Sequence, residues 1–104
     1  MATIDPRIVR FSQNSIKSTF RDGRTIDTLA RGLISGTIPL ESVPPIRLVE
    51  KDGNLYSLDN RRLEAFRRTG IHVPYRMATA DEERNETYKF TTMNEGNSIR
   101  VRES

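Results

Sequence analysis

The sequence predicts a small single domain of the α+β class, in which short helices pack on a mixed sheet with β-hairpins. Three observations support this prediction. The chain has 104 residues, which is enough for one modest core. An Asp-Gly pair lies between two β-rich runs, which is a strong signal for a β-hairpin. Apolar residues also recur at helical spacing in segments that alternate with these runs.

The first helix is predicted to begin after Thr25, which can cap it, and to end at Gly36 in the left-handed conformation. Its expected buried face has the spacing i, i+3, i+4, i+7 and consists of Ile26, Leu29, Ala30 and Leu33. Upstream, residues 7–13 have the composition of a short strand. Residues 11–23 are rich in Ser and Asn and are expected to form a loop or a short helical turn.

The middle of the chain is predicted to form a hairpin, a helix and a strand. Residues 46–50 and 54–58 flank the Asp-Gly turn as the two hairpin strands. A second helix is expected over 60–69, stopped by Gly70, and residues 71–77 are expected to form the next strand.

The C-terminal part is predicted to contain a third helix and a second hairpin. Thr79 and Glu82 have the spacing of a capping box, which predicts a helix of about two turns. Residues 88–92 and 98–102 are expected to pair as a hairpin around Gly96, with Lys89 on its basic face and the aromatic side chains on its apolar face.

The composition favours anionic partners and excludes several kinds of site. The net charge is +3, the sequence pI is about 9.7, and arginine outnumbers lysine, which suits phosphates or nucleic acid. Cysteine is absent, so disulfides, thiolate nucleophiles and cysteine-based metal sites are excluded. No run approaches the roughly 18–20 apolar residues of a membrane span, and no secretory segment is visible, so a cytoplasmic protein without membrane contact is expected.

Two consecutive arginines, Arg61 and Arg62, follow Asp59 and Asn60 at the predicted start of the second helix. Cations are disfavoured there, because the first N–H groups are unpaired and the helix dipole is positive. An anion could compensate, since a phosphate gains from these N–H groups and from the bidentate fork of an arginine. Alternatively, Asp59 balances the charge as N-cap and both arginines are solvated.

Further candidate residues lie outside this helix. Ser12 and Gln13 follow a predicted strand and carry short polar groups suited to phosphate, although such residues are equally common in turns. Lys89 is a candidate phosphate ligand on the predicted C-terminal hairpin. His72, the single histidine, is expected to face outward, opposite to Ile71 and Val73.

The stretch PPIRLVEKDGNLYSLDNRRLEAFRRTGIHVPYR (44–76) resembles the ParB/sulfiredoxin-like superfamily. In that family, a Gly-x-[His/Arg]-Arg motif followed by Ala opens a helix and holds the phosphates of a nucleotide or nucleic acid. Arg61 and Arg62 match the two basic positions and Ala65 the small one. Asp59 stands in place of the usual Gly, and Asn60 stands where ParB proteins have Glu. The resemblance covers about 8–79, followed by the predicted C-terminal helix and hairpin over 80–104.

The resemblance implies a nucleotide- or nucleic-acid-phosphate-binding domain, and in one specific form a small ParB-like nuclease or toxin-type phosphoryl-transfer enzyme. Its catalytic residues would be Asp59, Asn60, Arg61 and Arg62. The phosphate ligands would be Arg62, Arg61, Asn60, Ser12, Gln13 and Lys89. Such chemistry would use Mg²⁺ and a nucleoside triphosphate, although the sequence identifies no protein ligand for the metal.

Two departures from the family limit this interpretation. The absence of cysteine excludes sulfiredoxin-type repair, and the replacement of the ParB glutamate by Asn60 removes the obvious catalytic carboxylate. A non-enzymatic nucleic-acid-binding module therefore remains open. A protein-interaction module that presents a basic surface to an acidic partner is the other alternative.

Overall fold

The computed structural model describes residues 2–20, 22–92, 94 and 96–102. Its strands are β1 (Thr3–Ile4), β2 (Arg10–Phe11), β3 (Ser15–Lys17), β4 (Ile46–Lys51), β5 (Asn54–Ser57), β6 (Val73–Met77) and β7 (Arg100–Arg102). Its α-helices are α1 (Ile26–Ser35), α2 (Asn60–Thr69) and α3 (Ala80–Asn85). Short 3-10 helices span Pro6–Ile8, Leu40–Ser42 and Thr87–Lys89. The combination of helices and a mixed sheet confirms the α+β class.

Five strands form a mixed sheet in the order β1-β6-β4-β5-β2. The β4–β5 and β1–β6 pairs are antiparallel, whereas the β4–β6 and β2–β5 pairs are parallel. The strands β3 and β7 form a separate parallel pair. Parallel strands cannot be joined by a tight turn, and here β4, β5, β6 and the helices α1, α2 and α3 lie between β3 and β7 along the chain.

Helices α1 and α2 pack against each other and cover the core. The predicted buried face of α1 is confirmed, since Ile26, Leu29, Ala30 and Leu33 are all buried. On α2, Leu63 and Phe66 are fully buried, as its amphipathic pattern predicts. This packing fixes the rotation of α2 and therefore the direction in which its N-terminal arginines project.

The helix caps and the hairpin turn form as the sequence predicts. The Thr25 hydroxyl accepts a hydrogen bond from the Thr28 N–H (3.0 Å), and Gly36 ends α1 with φ of 82°. The β4–β5 hairpin forms around its Asp-Gly turn. Thr79 and Glu82 form both bonds of the capping box that opens α3. None of the helices in the described residues is both long enough and apolar enough to span a membrane.

The prediction of a C-terminal hairpin is wrong. Thr87–Lys89 is a 3-10 helix, and the N–H groups of Thr91 and Thr92 donate to the Ser12 carbonyl (2.8 and 3.0 Å). β7 pairs with β3 instead. Gly96 adopts φ of 74°, while two positions of the expected turn, Met93 and Glu95, lie outside the described residues.

The N-terminal prediction also needs correction. Most of 7–13 is not a strand, because a 3-10 helix occupies Pro6–Ile8 and only Arg10–Phe11 pairs in the sheet. Conversely, the segment expected to be a loop or helical turn contains β3. Its pairing depends on a partner at the other end of the chain, which the local polar composition does not reveal.

Candidate functional site

A cleft of about 460 Å³ opens where the start of α2 meets β3, β7 and the 3-10 helix at Thr87–Lys89. Most of the residues predicted from the sequence to form a site meet here. The cleft is lined by Gln13, Asp59, Asn60, Arg61, Arg62 and Lys89. Ser12 lies just beneath, fully buried and hydrogen-bonded to Asn60. The predicted set is therefore spatially coherent even though its members come from distant segments.

The described lining of the cleft carries a large excess of positive charge. Five of its side chains are cationic: Lys17, Arg61, Arg62, Lys89 and Arg102. The carboxylate of Asp59 is the single acidic group in the same part of the wall. Concave surfaces lined by one sign of charge focus the electrostatic potential and attract ions of the opposite sign.

Asn60 joins the floor of the cleft to the loop after β2. Its Oδ1 accepts from the Ser12 N–H (2.8 Å), and its Nδ2 donates to the Ser12 hydroxyl (2.9 Å) and to Gln13 Oε1 (3.1 Å). The Ser12 hydroxyl in turn donates to the Ser57 carbonyl (2.7 Å). Asn60 is almost completely buried. In this geometry its amide positions the Ser12–Gln13 segment, because all three bonds go to that segment.

Asp59 precedes α2 as the N-cap residue, but its side chain does not cap the helix. The carboxylate instead accepts from the backbone N–H and Nε of Arg47 through Oδ2 (2.8 and 3.1 Å) and from Arg47 Nη2 through Oδ1 (2.8 Å). Burial alone would raise the pKa of Asp59, but the Arg47 hydrogen bonds and the Arg62 charge outweigh it and lower the pKa. Asp59 is therefore held as an anion.

Arg62 is half-buried rather than solvated, with 24% of its side chain exposed. Its Nη1 donates to the Pro45 carbonyl (3.2 Å) and lies 3.4 Å from Asp59 Oδ2. Burial lowers the pKa of the Arg62 guanidinium below its ordinary value, while the Asp59 charge opposes this effect. The charge-balancing role expected of Asp59 in the alternative interpretation is thus present, through an ion pair rather than a cap.

Arg61 is held differently from its neighbour. Its Nη1 donates to the Thr19 carbonyl (2.8 Å), and its guanidinium lies 5.9 Å from the centre of the Phe20 ring. Lys89 closes the opposite side, where its Nζ donates to the Leu58 carbonyl (2.9 Å) and pairs with Glu86 (2.7 Å). Hydrogen bonds therefore hold Arg61 to the segment after β3 and Lys89 to the residue after β5.

An ion-pair network around Arg47 adjoins the cleft through Asp59. Arg47 bonds Glu86 and Glu82 of the α3 region in addition to Asp59, with 20% of its side chain exposed. Hydrogen bonding to Asp59 is the main reason why the pKa of Arg47 is raised. For Glu86, bonds from Arg47 and Lys89 outweigh the effect of burial and lower the pKa. The network connects the sheet, the N-cap of α2 and α3.

The lining also includes Lys17, Tyr88 and Arg102, which are not among the residues predicted to bind phosphate. Lys17 and Arg102 are directly paired across β3 and β7, so their proximity depends on a strand pairing that the sequence did not predict. Tyr88 was expected on the apolar face of a hairpin. In the 3-10 helix it is instead 71% exposed, because the alternation of an extended strand does not apply there.

The remaining candidates lie apart from this cleft or lack the required partners. His72 is exposed just before β6 and is not part of the cleft lining. Among the described residues, no three His, Asp or Glu side chains are grouped closely enough to hold a metal ion. Asp59 is the one described carboxylate that faces the cleft, and it is already bound to Arg47 and Arg62.

No family model, curated protein or solved structure matches this chain in the comparisons.

Proposed function

We propose that this domain binds the phosphate groups of a nucleotide or nucleic acid in the cleft at the start of α2. The observation that supports this most is the charge of the described lining, in which five cationic side chains surround a single carboxylate. That carboxylate is already neutralised by two arginines. The cationic side chains of the lining that are not paired with a carboxylate are therefore available to a ligand.

The cationic residues divide into two groups by their partners. Arg62 and Lys89 are paired with carboxylates of the domain and therefore leave little positive charge for a ligand. Within the described part of the chain, no carboxylate lies within ion-pair distance of Lys17, Arg61 or Arg102. In the proposal, these three make the direct contacts to phosphate, with arginine supplying a bidentate fork.

The helix terminus adds to this charge. Since the Asp59 side chain does not cap α2, it leaves the first-turn N–H groups to other acceptors. Such groups, together with the helix dipole, favour a phosphate. The cleft volume of about 460 Å³ also falls in the range of roughly 300–1,000 Å³ typical of small-ligand sites. Size, charge and backbone donors therefore agree.

In this proposal Asn60 and Ser12 act as positioning residues, and Gln13 presents its side chain at the cleft wall. A catalytic role for Asp59, Asn60, Arg61 and Arg62 with Mg²⁺ and a nucleoside triphosphate remains a prediction from the family resemblance. Binding is the better supported function, because Asp59 is held by Arg47 and Arg62 and is the single described carboxylate at the cleft.

The test is a binding titration with fluorescent ATP, fluorescent CTP and short labelled oligonucleotides, each with and without Mg²⁺ and followed by product analysis. The Arg61→Gln variant should bind the ligands about tenfold more weakly or worse, since a charge-assisted hydrogen bond contributes about 1.5–3 kcal/mol. Arg68→Gln is the matched control, because Arg68 is in the last turn of the same helix and pairs with Glu64. Equal affinity of the two variants, or no binding at all, would contradict the proposal; turnover would add catalysis to it.

A further inference from the structure

The exposed face of the β3–β7 pair forms a basic strip, defined here as Lys17, Arg100 and Arg102. The parallel register pairs Lys17 with Arg102 and Ser15 with Arg100, so the three cations share one face. The opposite face carries Ile16, which is buried, and Val101, which packs against the core. Lys17 and Arg102 also line the cleft, so the strip continues into it.

The direct pairing of Lys17 with Arg102 is electrostatically unfavourable. Like charges opposite each other on neighbouring strands destabilise a sheet, and the strands are only about 4.8 Å apart. No carboxylate in the described residues pairs with any cation of the basic strip. A ligand that carries several negative charges would remove this repulsion when it binds.

The spacing of the strip suits a chain of phosphates. Arg100 and Arg102 are two positions apart on one strand, which separates them by about 6.6 Å. This distance is comparable with the separation of successive phosphates in an extended single strand. The cations of the basic strip lie on β3 and β7, and Arg61 lies on α2. Because these positions are spread over three elements, together they can contact more phosphates than the phosphate group of a single nucleotide provides.

An aromatic ring stands in the wall of the same cleft. Tyr88 is 71% exposed, and its neighbour Lys89 is anchored to the Leu58 carbonyl, which fixes the short helix that carries the ring. Exposed aromatic rings beside a positively charged groove are the usual means by which proteins stack the bases of single strands. The bases of an intact duplex are already stacked on each other and cannot use such a ring.

We propose that the basic strip and the cleft together bind single-stranded nucleic acid, with phosphates on Lys17, Arg100 and Arg102 and a base stacked on Tyr88. This inference rests on the proposed function and narrows its ligand from phosphate compounds in general to one polymer. A duplex, a free nucleotide and an acidic polypeptide each lack either the unstacked base or the regular series of phosphates.

The test compares the affinities of five probes by fluorescence anisotropy and competition. They are oligothymidylate and oligouridylate of about 12 nucleotides, a size within the range of known single-strand sites, a duplex of equal length, ATP, and poly-glutamate of equal length. One or both single strands should bind at least about tenfold more tightly than the other three. If three phosphates are contacted, log K should fall with log salt with a slope of about −2.

Two pairs of variants test the geometry. Tyr88→Ser should weaken single-strand binding about fivefold or more while Tyr88→Phe retains it, because the ring and not the hydroxyl stacks. The double variant Arg100→Gln/Arg102→Gln should lower the magnitude of the salt slope by about 1.4. Arg31→Gln is its control, since this arginine is exposed on α1 and pairs with Asp27.

The outcomes separate this inference from the proposed function. If ATP binds through Arg61 but single strands bind no more tightly, or Tyr88→Ser has no effect, the inference is wrong and the proposed function stands. Equal affinity for poly-glutamate would assign the surface to an acidic protein and would also overturn the inference. If none of the anionic probes binds, both proposals are wrong.

Discussion

Replacing Asn60 by alanine tests whether its amide builds the cleft or only contacts a ligand. Asn60 is 2% exposed and makes three hydrogen bonds, of which the bond from the Ser12 N–H (2.8 Å) has no substitute nearby, because Ser12 itself is fully buried. The Asn60→Ala variant leaves this N–H without a partner. It also frees the Ser12 hydroxyl and Gln13 from the amide nitrogen.

The expected loss of stability follows from the hydrogen bonds that the substitution removes. An unsatisfied buried backbone donor costs about 1–3 kcal/mol, and each of the other two hydrogen bonds contributes about 0.5–1.5 kcal/mol. Hydrogen bonds to water offset part of the stability lost at Gln13, since Gln13 is only partly buried. The free energy of unfolding should therefore fall by about 3 kcal/mol, which is a large fraction of the stability of a domain of this size.

The assay is urea unfolding followed by far-UV circular dichroism, because the chain contains no tryptophan. Asn85→Ala is the control, since Asn85 is exposed at the end of α3 and should change the stability by no more than about 0.5 kcal/mol. A loss below about 1 kcal/mol in Asn60→Ala, combined with lost ligand binding, would refute the positioning role and favour direct contact with the ligand.

Three further predictions concern contacts that stabilise the fold. Arg67→Met keeps packing on the Phe11 ring but loses bonds to backbone carbonyls, so thermal unfolding should show a loss of about 2 kcal/mol; an unchanged Tm would contradict this. Gly96→Ala, with φ of 74° and its added Cβ against the Phe11 backbone, should lose more than about 2 kcal/mol by urea unfolding, whereas a neutral result would refute that close approach. Arg47→Gln should cost about 3–5 kcal/mol near pH 7. Because the folded pKa of Asp59 is lowered, its ion pairs stabilise the fold above the unfolded pKa of about 3.9, and this contribution is lost as the pH falls through the folded value. Urea titrations from pH 7 to pH 3 should show that the difference in the free energy of unfolding between Arg47→Gln and wild type becomes smaller as the pH falls. A constant difference would refute the Asp59 ion pairs as the source of this stability.

Features set by adjacent residues were predictable from the sequence. Thr25 begins α1 and Gly36 ends it, the Asp-Gly turn joins the strands of the β4–β5 hairpin, and Thr79 caps the start of α3. Each of these signals acts within a few residues of its effect. The clustering of Asn60, Arg61 and Arg62 on one turn of helix was predictable for the same reason. Helical geometry alone brings these three together.

Features set by distant backbone groups were not predictable. The sequence pattern indicates no special role for Arg67, yet it donates to the carbonyls of Pro6 (3.2 Å) and Val9 (2.6 Å) and stacks on the ring of Phe11 (4.4 Å). Backbone carbonyls are present at every position and so leave no compositional signal. The pairing of Lys17 with Arg102 was missed because it joins opposite ends of the chain.

Phosphate binding at the start of α2 can be observed by nuclear magnetic resonance. Inorganic pyrophosphate would be titrated into the ¹⁵N-labelled domain and the backbone amide shifts followed residue by residue. We expect saturable changes concentrated at the amides of residues 13–17, 60–62 and 88–89, which surround the cleft. Changes centred elsewhere, for example on β6 and α3, or no saturable change at low salt, would contradict this expectation.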